Sequence, residues 1–293
     1  MLSAFIKQHS LPEEFKRTVD QYYKPLADQI YCRFTNNQKP YFVGINGSQG
    51  SGKSTLTDFI ATYLTTKYQL NVLVMSLDDF YLTGKKRNKL AKDIHPLLAT
   101  RGVPGTHDVI KLNHILTQLK ENKTGFSIQK FNKATDEPFP ESQWPIIEKP
   151  ADIVLLEGWC WGVKSQTTEQ LRAPINELES QHDRTGVWRN YVNQQLKSAY
   201  EPLYETMDFW LALQAPSFDC VYKWRLEQEQ KLKKTNIGLL NSKIMSAAGI
   251  LNFTQYFQRL SVQGCNTISQ SADAICYLDY DRQITDMLIA DSV

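Results

Sequence analysis

Residues 41–64 read YFVGINGSQGSGKSTLTDFIATYL, and no other stretch limits the possible folds of this chain so narrowly. The opening apolar run lacks alternation, as does a strand buried on both faces. It gives way to Gly47-Ser48-Gln49-Gly50-Ser51-Gly52-Lys53-Ser54-Thr55, which contains a complete G-x-x-x-x-G-K-[ST] pattern. Leu56, Phe59, Ile60, Tyr63 and Leu64 follow at the spacing of one helical face. A chance match to the pattern in a chain of average composition is on the order of one per cent, and the flanking strand and helix make it rarer still.

The residue types have separable reasons. Glycines let the backbone curl with its N–H groups inward, and the amino terminus of the following helix adds partial positive charge. Residues 47–55 are therefore expected to cradle the phosphates of a nucleotide. Lys53 would neutralise the β and γ phosphates, and the Ser54 hydroxyl would ligate Mg²⁺.

YFVGIN, NVLVMSL, DIVLLEG, DFWLALQ and DAICYLD are short apolar runs separated by helical periodicity. They predict an α/β protein of the P-loop NTPase type: a five-stranded, mostly parallel sheet flanked by helices. Residues 11–34 place Phe15, Val19, Tyr22, Leu26, Ile30 and Phe34 at helical spacings, with Pro25 expected to bend or divide the segment. No linker, repeat or low-complexity tract interrupts the chain. The reading is one domain over residues 1–293, with an amino-terminal helical segment over 1–40 and a substrate-side insertion over about 79–150.

Of the 293 residues, 42% are hydrophobic, enough for a sizeable core. The 33 basic and 31 acidic residues leave a net charge of +2, so no global field draws the protein to nucleic acid or an anionic membrane. Five widely spaced cysteines without a C-x-x-C pair suit free thiols in a reducing compartment. The amino terminus has no signal-peptide pattern and no apolar run approaches a membrane span, so a cytoplasmic location is expected.

A phosphate loop alone does not choose between a kinase, a GTPase switch and a mechanical ATPase. Asp78 and Asp79 in SLDDFYL stand where the second strand stops, placed to take a hydroxyl proton or help hold Mg²⁺; a solvated Asp pair opening a turn is the plain alternative. Glu157 ends the third strand, where it can serve Mg²⁺ or simply face solvent. Asp108 stands before a helical pattern formed by Val109, Leu112, Ile115, Leu116 and Leu119, so it is a cap as well as a candidate acceptor ligand.

Arg101 and His107 lie in the same Pro/Gly-rich loop, and the Arg101 fork matches a carboxylate. Arg189 in GVWRNYVN is a second candidate for that role. Arg225, on a charged helix after the fourth strand, is a candidate for the transferring phosphate.

Taken together, GSQGSGKST, LDDFYLT, HPLLATRGVPGTHD, LLEGWCWG, GVWRNYVN, APSFDCVYKWRLEQE and ADAICYLDYD resemble the D-glycerate 3-kinase family of plant and fungal type, with its bacterial relatives. That family lies within the uridine kinase, pantothenate kinase and phosphoribulokinase superfamily. The resemblance implies transfer of the ATP γ-phosphoryl group to a hydroxyl of D-glycerate. It gives Asp78 the catalytic role and places Asp79, Tyr81, Arg101, His107, Asp108 and Arg189 near the acceptor.

It also implies a metal site of Ser54, Asp78 and Glu157, and an Arg225 that reaches the phosphate from a lid. Two alternatives stay open: a pantothenate- or nucleoside-like acceptor, and a regulatory ATPase or GTPase. Guanine-specific proteins carry Asn-Lys-x-Asp after a strand, whereas NKATD here has one residue too many and precedes the Glu157 strand.

Overall fold

A computed structural model describes residues 1–37, 40–235 and 247–290. Its central sheet comprises β1 (Tyr41–Gly47), β2 (Val72–Ser76), β3 (Ile153–Gly158), β4 (Phe209–Gln214), β5 (Ala274–Leu278) and β6 (Ile284–Ile289), in the spatial order β6-β5-β4-β1-β3-β2. The first five strands are parallel and β6 is antiparallel to β5. The sheet thus has six strands where the apolar runs predict five. The sixth escapes a search for continuous apolar runs because β6 is an edge strand, largely solvent-facing, with a bulge between Ile284 and Asp286.

Within the buried strands, alternate side chains divide between two cores. Tyr41, Val43, Ile45, Ile153, Leu155, Phe209 and Leu211 join one, while Phe42, Val154, Leu156 and Ala212 join the other. The first core is roofed by α1 (Lys24–Thr35) and α2 (Lys53–Tyr68), through Leu26, Ile30, Leu56, Phe59, Ile60 and Leu64. Each such fully buried side chain contributes about 1.5–3 kcal/mol of transfer free energy.

A five-residue π turn, Val19–Tyr23, precedes α1, and Pro25 sits in the first turn of that helix. The missing Pro25 N–H removes the donor that Gln21 C=O would use, and the widened turn absorbs the loss.

Residues 79–150 hold α3 (Gly84–Asp93), α4 (Val109–Lys120) and two two-stranded ribbons, Phe126–Ser127 with Ile146–Ile147 and Phe131–Asn132 with Glu137–Pro138. Later helices include α5 (Val187–Gln195), α6 (Asp219–Thr235) and α7 (Ala247–Thr267). Leu112, Ile115, Leu116 and Leu119 of α4, with Phe257 and Leu260 of α7, pack on the second face of the sheet. The five cysteines are free, and among the described residues no helix is long and apolar enough to cross a membrane.

The strand order sets the site. β1 lies between β3 and β4, so the chain leaves β1 toward β2 while a later segment fills the gap, and a crevice opens at the strands' carboxyl ends. After β3, the turn carrying Trp159 and Trp161 folds back tightly. Asn46 Nδ2 donates to the carbonyls of Trp159 (3.2 Å) and Trp161 (2.8 Å). A Cβ at Gly158 would meet Leu77 Cβ at 2.9 Å and Trp161 Cβ at 3.0 Å, so this approach requires glycine.

Candidate active site

The glycine-rich loop connects β1 directly to α2. Gly50 and Gly52 take φ values of 83° and 91°, in the left-handed region that side chains resist, and α2 begins at Lys53. Ser48 Oγ, Ser51 Oγ and Gln49 Oε1 are buried here without a hydrogen-bond partner. Buried polar atoms left this way cost about 1–3 kcal/mol each, a cost that a polyphosphate with many acceptor oxygens can offset at the hydroxyls.

Beside the loop stands Glu157. The register of the parallel strands brings Ile45, Glu157 and Ser76 level across β1, β3 and β2. Glu157 Oε1 accepts from the Ser54 hydroxyl at 3.3 Å and from the Ser76 hydroxyl at 2.8 Å. Its Oε2 lies 3.7 Å from Lys53 Nζ and has no hydrogen-bond partner.

A buried carboxylate with one uncommitted oxygen, next to the loop hydroxyl of Ser54, fits Mg²⁺. No group of three or more His, Cys, Asp or Glu side chains among the described residues could hold a metal. Mg²⁺ takes one or two protein ligands and fills its shell with phosphate oxygens and water.

Asp78 follows β2 in a short 3-10 turn, Leu77–Phe80, whose start is capped by the Ser76 hydroxyl. Its Oδ1 accepts from Tyr81 OH at 2.9 Å and its Oδ2 from Lys133 Nζ at 2.6 Å. Burial works to raise this carboxyl, but the charges of Lys133 and Lys53 outweigh it and hold the group down to about 2. Asp78 is therefore ionised at any physiological pH and feels the phosphate-loop lysine directly.

Tyr81 stacks on His107, with ring centroids 4.4 Å apart, and His107 Nδ1 shares a hydrogen bond of 2.7 Å with Tyr200 OH. Burial depresses His107 to about 4, partly opposed by the Asp78 charge, so the ring is neutral. This stack fixes the side of Asp78 that faces the protein.

Asp108 caps α4, with Oδ1 accepting from Lys111 N at 3.1 Å, and also lies 3.5 Å from Lys86 Nζ. Arg101 pairs with Asp136 and lies over the Phe131 ring, on the same hairpin as Lys133. Arg225, on α6, stacks its guanidinium 5.9 Å from the Phe253 ring of α7. Both oxygens of Asp79 are occupied by that hairpin, Oδ2 by Lys130 Nζ at 2.7 Å and Oδ1 by Phe131 N at 3.2 Å, so Asp79 anchors the hairpin rather than an acceptor.

Arg189 requires a correction. It is 4% exposed, and its fork is engaged inside the protein: Nε with Leu171 O, NH1 with Asp183 O and Oδ2, and NH2 with Arg172 O. It braces the start of α5 and is not presented to an acceptor carboxylate.

Two residues of the site were not singled out by sequence reasoning. Ser76 offered a signal, since it is the last residue of a strand leading into the acidic pair. Lys133 lies within NKATD, where the spacing speaks only about guanine recognition.

No protein-family model matches the chain. The kinase mug58 of Schizosaccharomyces pombe is 36% identical over 210 residues, which cover 67% of this chain and 72% of that protein. The chloroplastic D-glycerate 3-kinase of Arabidopsis thaliana is 28% identical over 67% of this chain, which spans 42% of the plant protein's length. Among solved structures, a D-glycerate 3-kinase from Cryptococcus neoformans superimposes with a TM-score of 0.73 at 24% identity, over 92% of this chain and 99% of that one. That likeness is one of fold. The chain belongs to the family of ATP-dependent P-loop kinases that includes mug58 and the probable ATP-dependent kinase TDA10 of Saccharomyces cerevisiae, which is 30% identical over 72% of this chain and 74% of that protein.

Proposed function

We propose that this protein phosphorylates D-glycerate at its 3-hydroxyl, using ATP and Mg²⁺. The observation that carries the reading is the meeting of Lys53, Ser54 and Glu157 at one strand end, with Asp78 within the electrostatic reach of Lys53. The choice of acceptor is supported by the names of the plant relative and the fungal neighbour.

In this reading the loop amides and Lys53 hold the β and γ phosphates, and Ser54 and Glu157 would hold the metal. Mg²⁺, when bound, supplies further positive charge to the terminal phosphates. A bond forms from the acceptor oxygen to the γ-phosphorus while the bond from that phosphorus to the β,γ-bridging oxygen breaks. The bridging electron pair leaves with ADP, and the hydroxyl proton passes by way of Asp78 to water.

A group held down to about 2 is a weak base, but a loose transition state asks little deprotonation of the nucleophile. Orientation of the hydroxyl is the main work of Asp78.

The test is ADP release with Mg-ATP in the presence of D-glycerate, L-glycerate, pantothenate, uridine or water alone, with the product identified by phosphorus NMR. The proposal expects release that depends on D-glycerate and yields 3-phosphoglycerate. Equal release with water alone would instead indicate a regulatory ATPase.

A further inference from the structure

The contact between Lys133 and Asp78 joins an exposed cation to the carboxylate that the acceptor hydroxyl has to reach. The backbone under Lys133 is fixed. Its hairpin is held to the end of β2 by the two bonds of Asp79, to Gly84 N by Glu137 Oε1 (3.0 Å), and to Arg87 and Arg101 by Asp136. Asn132 Oδ1 closes the turn by accepting from Ala134 N at 3.0 Å, and the Lys133 carbonyl accepts from Arg101 NH2 at 3.4 Å.

The Lys133 side chain, by contrast, is 60% exposed, and Asp78 is its partner at 2.6 Å. Four methylenes give that ammonium several ångströms of reach without moving the hairpin.

Asp78 has no equivalent freedom. Tyr81, which takes Oδ1, is 4% exposed and clamped against His107. Room for a hydroxyl is therefore made at Oδ2, and Lys133 sits there. A neutral acceptor displaces the ammonium and offers it nothing in return, forfeiting a charge-assisted hydrogen bond worth roughly 10- to 100-fold in binding. An acceptor with its own negative group gives Lys133 a new partner as it takes the old one's place.

We propose that Lys133 is a specificity-determining residue that exchanges Asp78 for the negative group of an incoming hydroxy acid, so that an anionic acceptor frees Asp78 for its hydroxyl. The proposal rests on the kinase reading of the site, and holds for any hydroxy acid rather than for glycerate alone. Lys133 acts on the acceptor's anionic group, and Asp78 on its hydroxyl.

The experiment compares D-glycerate with glycerol, which keeps the hydroxyls and lacks the carboxylate, in the wild type, Lys133→Ala and Lys133→Arg. Lys133→Ala should raise KM for D-glycerate roughly 10- to 100-fold, with a smaller change in kcat, and should raise kcat/KM for glycerol. Lys133→Arg should restore much of the D-glycerate KM. Opposite movement of the two acceptors separates this role from general damage, which lowers both.

A D-glycerate KM that Lys133→Ala leaves unchanged, or an equal loss on both acceptors, overturns the proposal. Should the wild type phosphorylate a different hydroxy acid, the assignment of glycerate fails, and the same comparison is made with that acid and its amide. A wild type that prefers neutral alcohols overturns both.

Discussion

Ser54 and Glu157 stand 103 residues apart in the chain, yet the Ser54 hydroxyl donates to Glu157 Oε1 at 3.3 Å. The glycine-rich loop and the strand that ends in Glu157 are thus in register. The second oxygen of Glu157 points toward Lys53 rather than into a hydrogen bond.

Replacement of Glu157 by Gln keeps the shape and the two serine bonds but removes the charge. Turnover should fall by roughly 10²- to 10³-fold, with a Mg²⁺ requirement raised at least about tenfold. A Mg²⁺ titration of turnover, with circular dichroism to confirm folding, reads both. An unchanged Mg²⁺ dependence would take Glu157 out of the metal site.

Lys53→Ala removes the charge meant for the transferring phosphoryl group. Turnover should drop by roughly 10³-fold or more while the fold persists. ATP consumption at the wild-type rate would exclude the phosphate loop from the mechanism.

Arg189→Leu separates structure from binding. It leaves Asp183, a fully buried carboxylate, without its cation, which should destabilise the protein by about 3–5 kcal/mol. In the fraction that remains folded, acceptor KM should be unchanged. Urea denaturation and steady-state kinetics on the same preparation check both; a raised KM at unaltered stability would return Arg189 to the acceptor site.

His107 predicts a pH effect. Its folded-state value of about 4 lies below the ordinary 6.5, because burial disfavours the charged ring. Between these values the unfolded chain binds a proton that the folded chain refuses, so stability rises with pH across the window. The contribution is fully present above pH 6.5 and is lost as pH falls toward 4, to the extent of about 3 kcal/mol. Asp78, depressed from 3.8 to about 2, loses its contribution only below pH 3.8 and does not overlap. Urea midpoints at pH 7 and pH 4.5 should differ less in His107→Gln than in the wild type.

The parallel strands and the phosphate loop could be read from local order. Strands buried on both faces appear as unbroken apolar runs, and the loop's constraints lie within nine consecutive residues, Gly47 to Thr55. β6 could not be read that way, since an antiparallel edge strand mixes exposed and buried positions around a bulge.

Contacts distant in sequence were the least legible. Lys133 meets Asp78 across 55 residues and Ser76 meets Glu157 across 81, distances over which no periodicity acts. Arg189 misled because an arginine in the first turn of a helix looks available. The signal against it was Asp183, six residues earlier across a Gly186 turn, whose carboxylate also accepts from Trp188 N and Arg189 N.

The convergence of the phosphate loop and Asp78 on one nucleotide is tested most directly by Asp78→Asn, with Mg-ATP affinity and phosphoryl transfer measured on the same sample. The account predicts an ATP dissociation constant within about threefold of the wild type and transfer reduced by roughly 10²- to 10⁴-fold. Full transfer at neutral pH in that variant would contradict it.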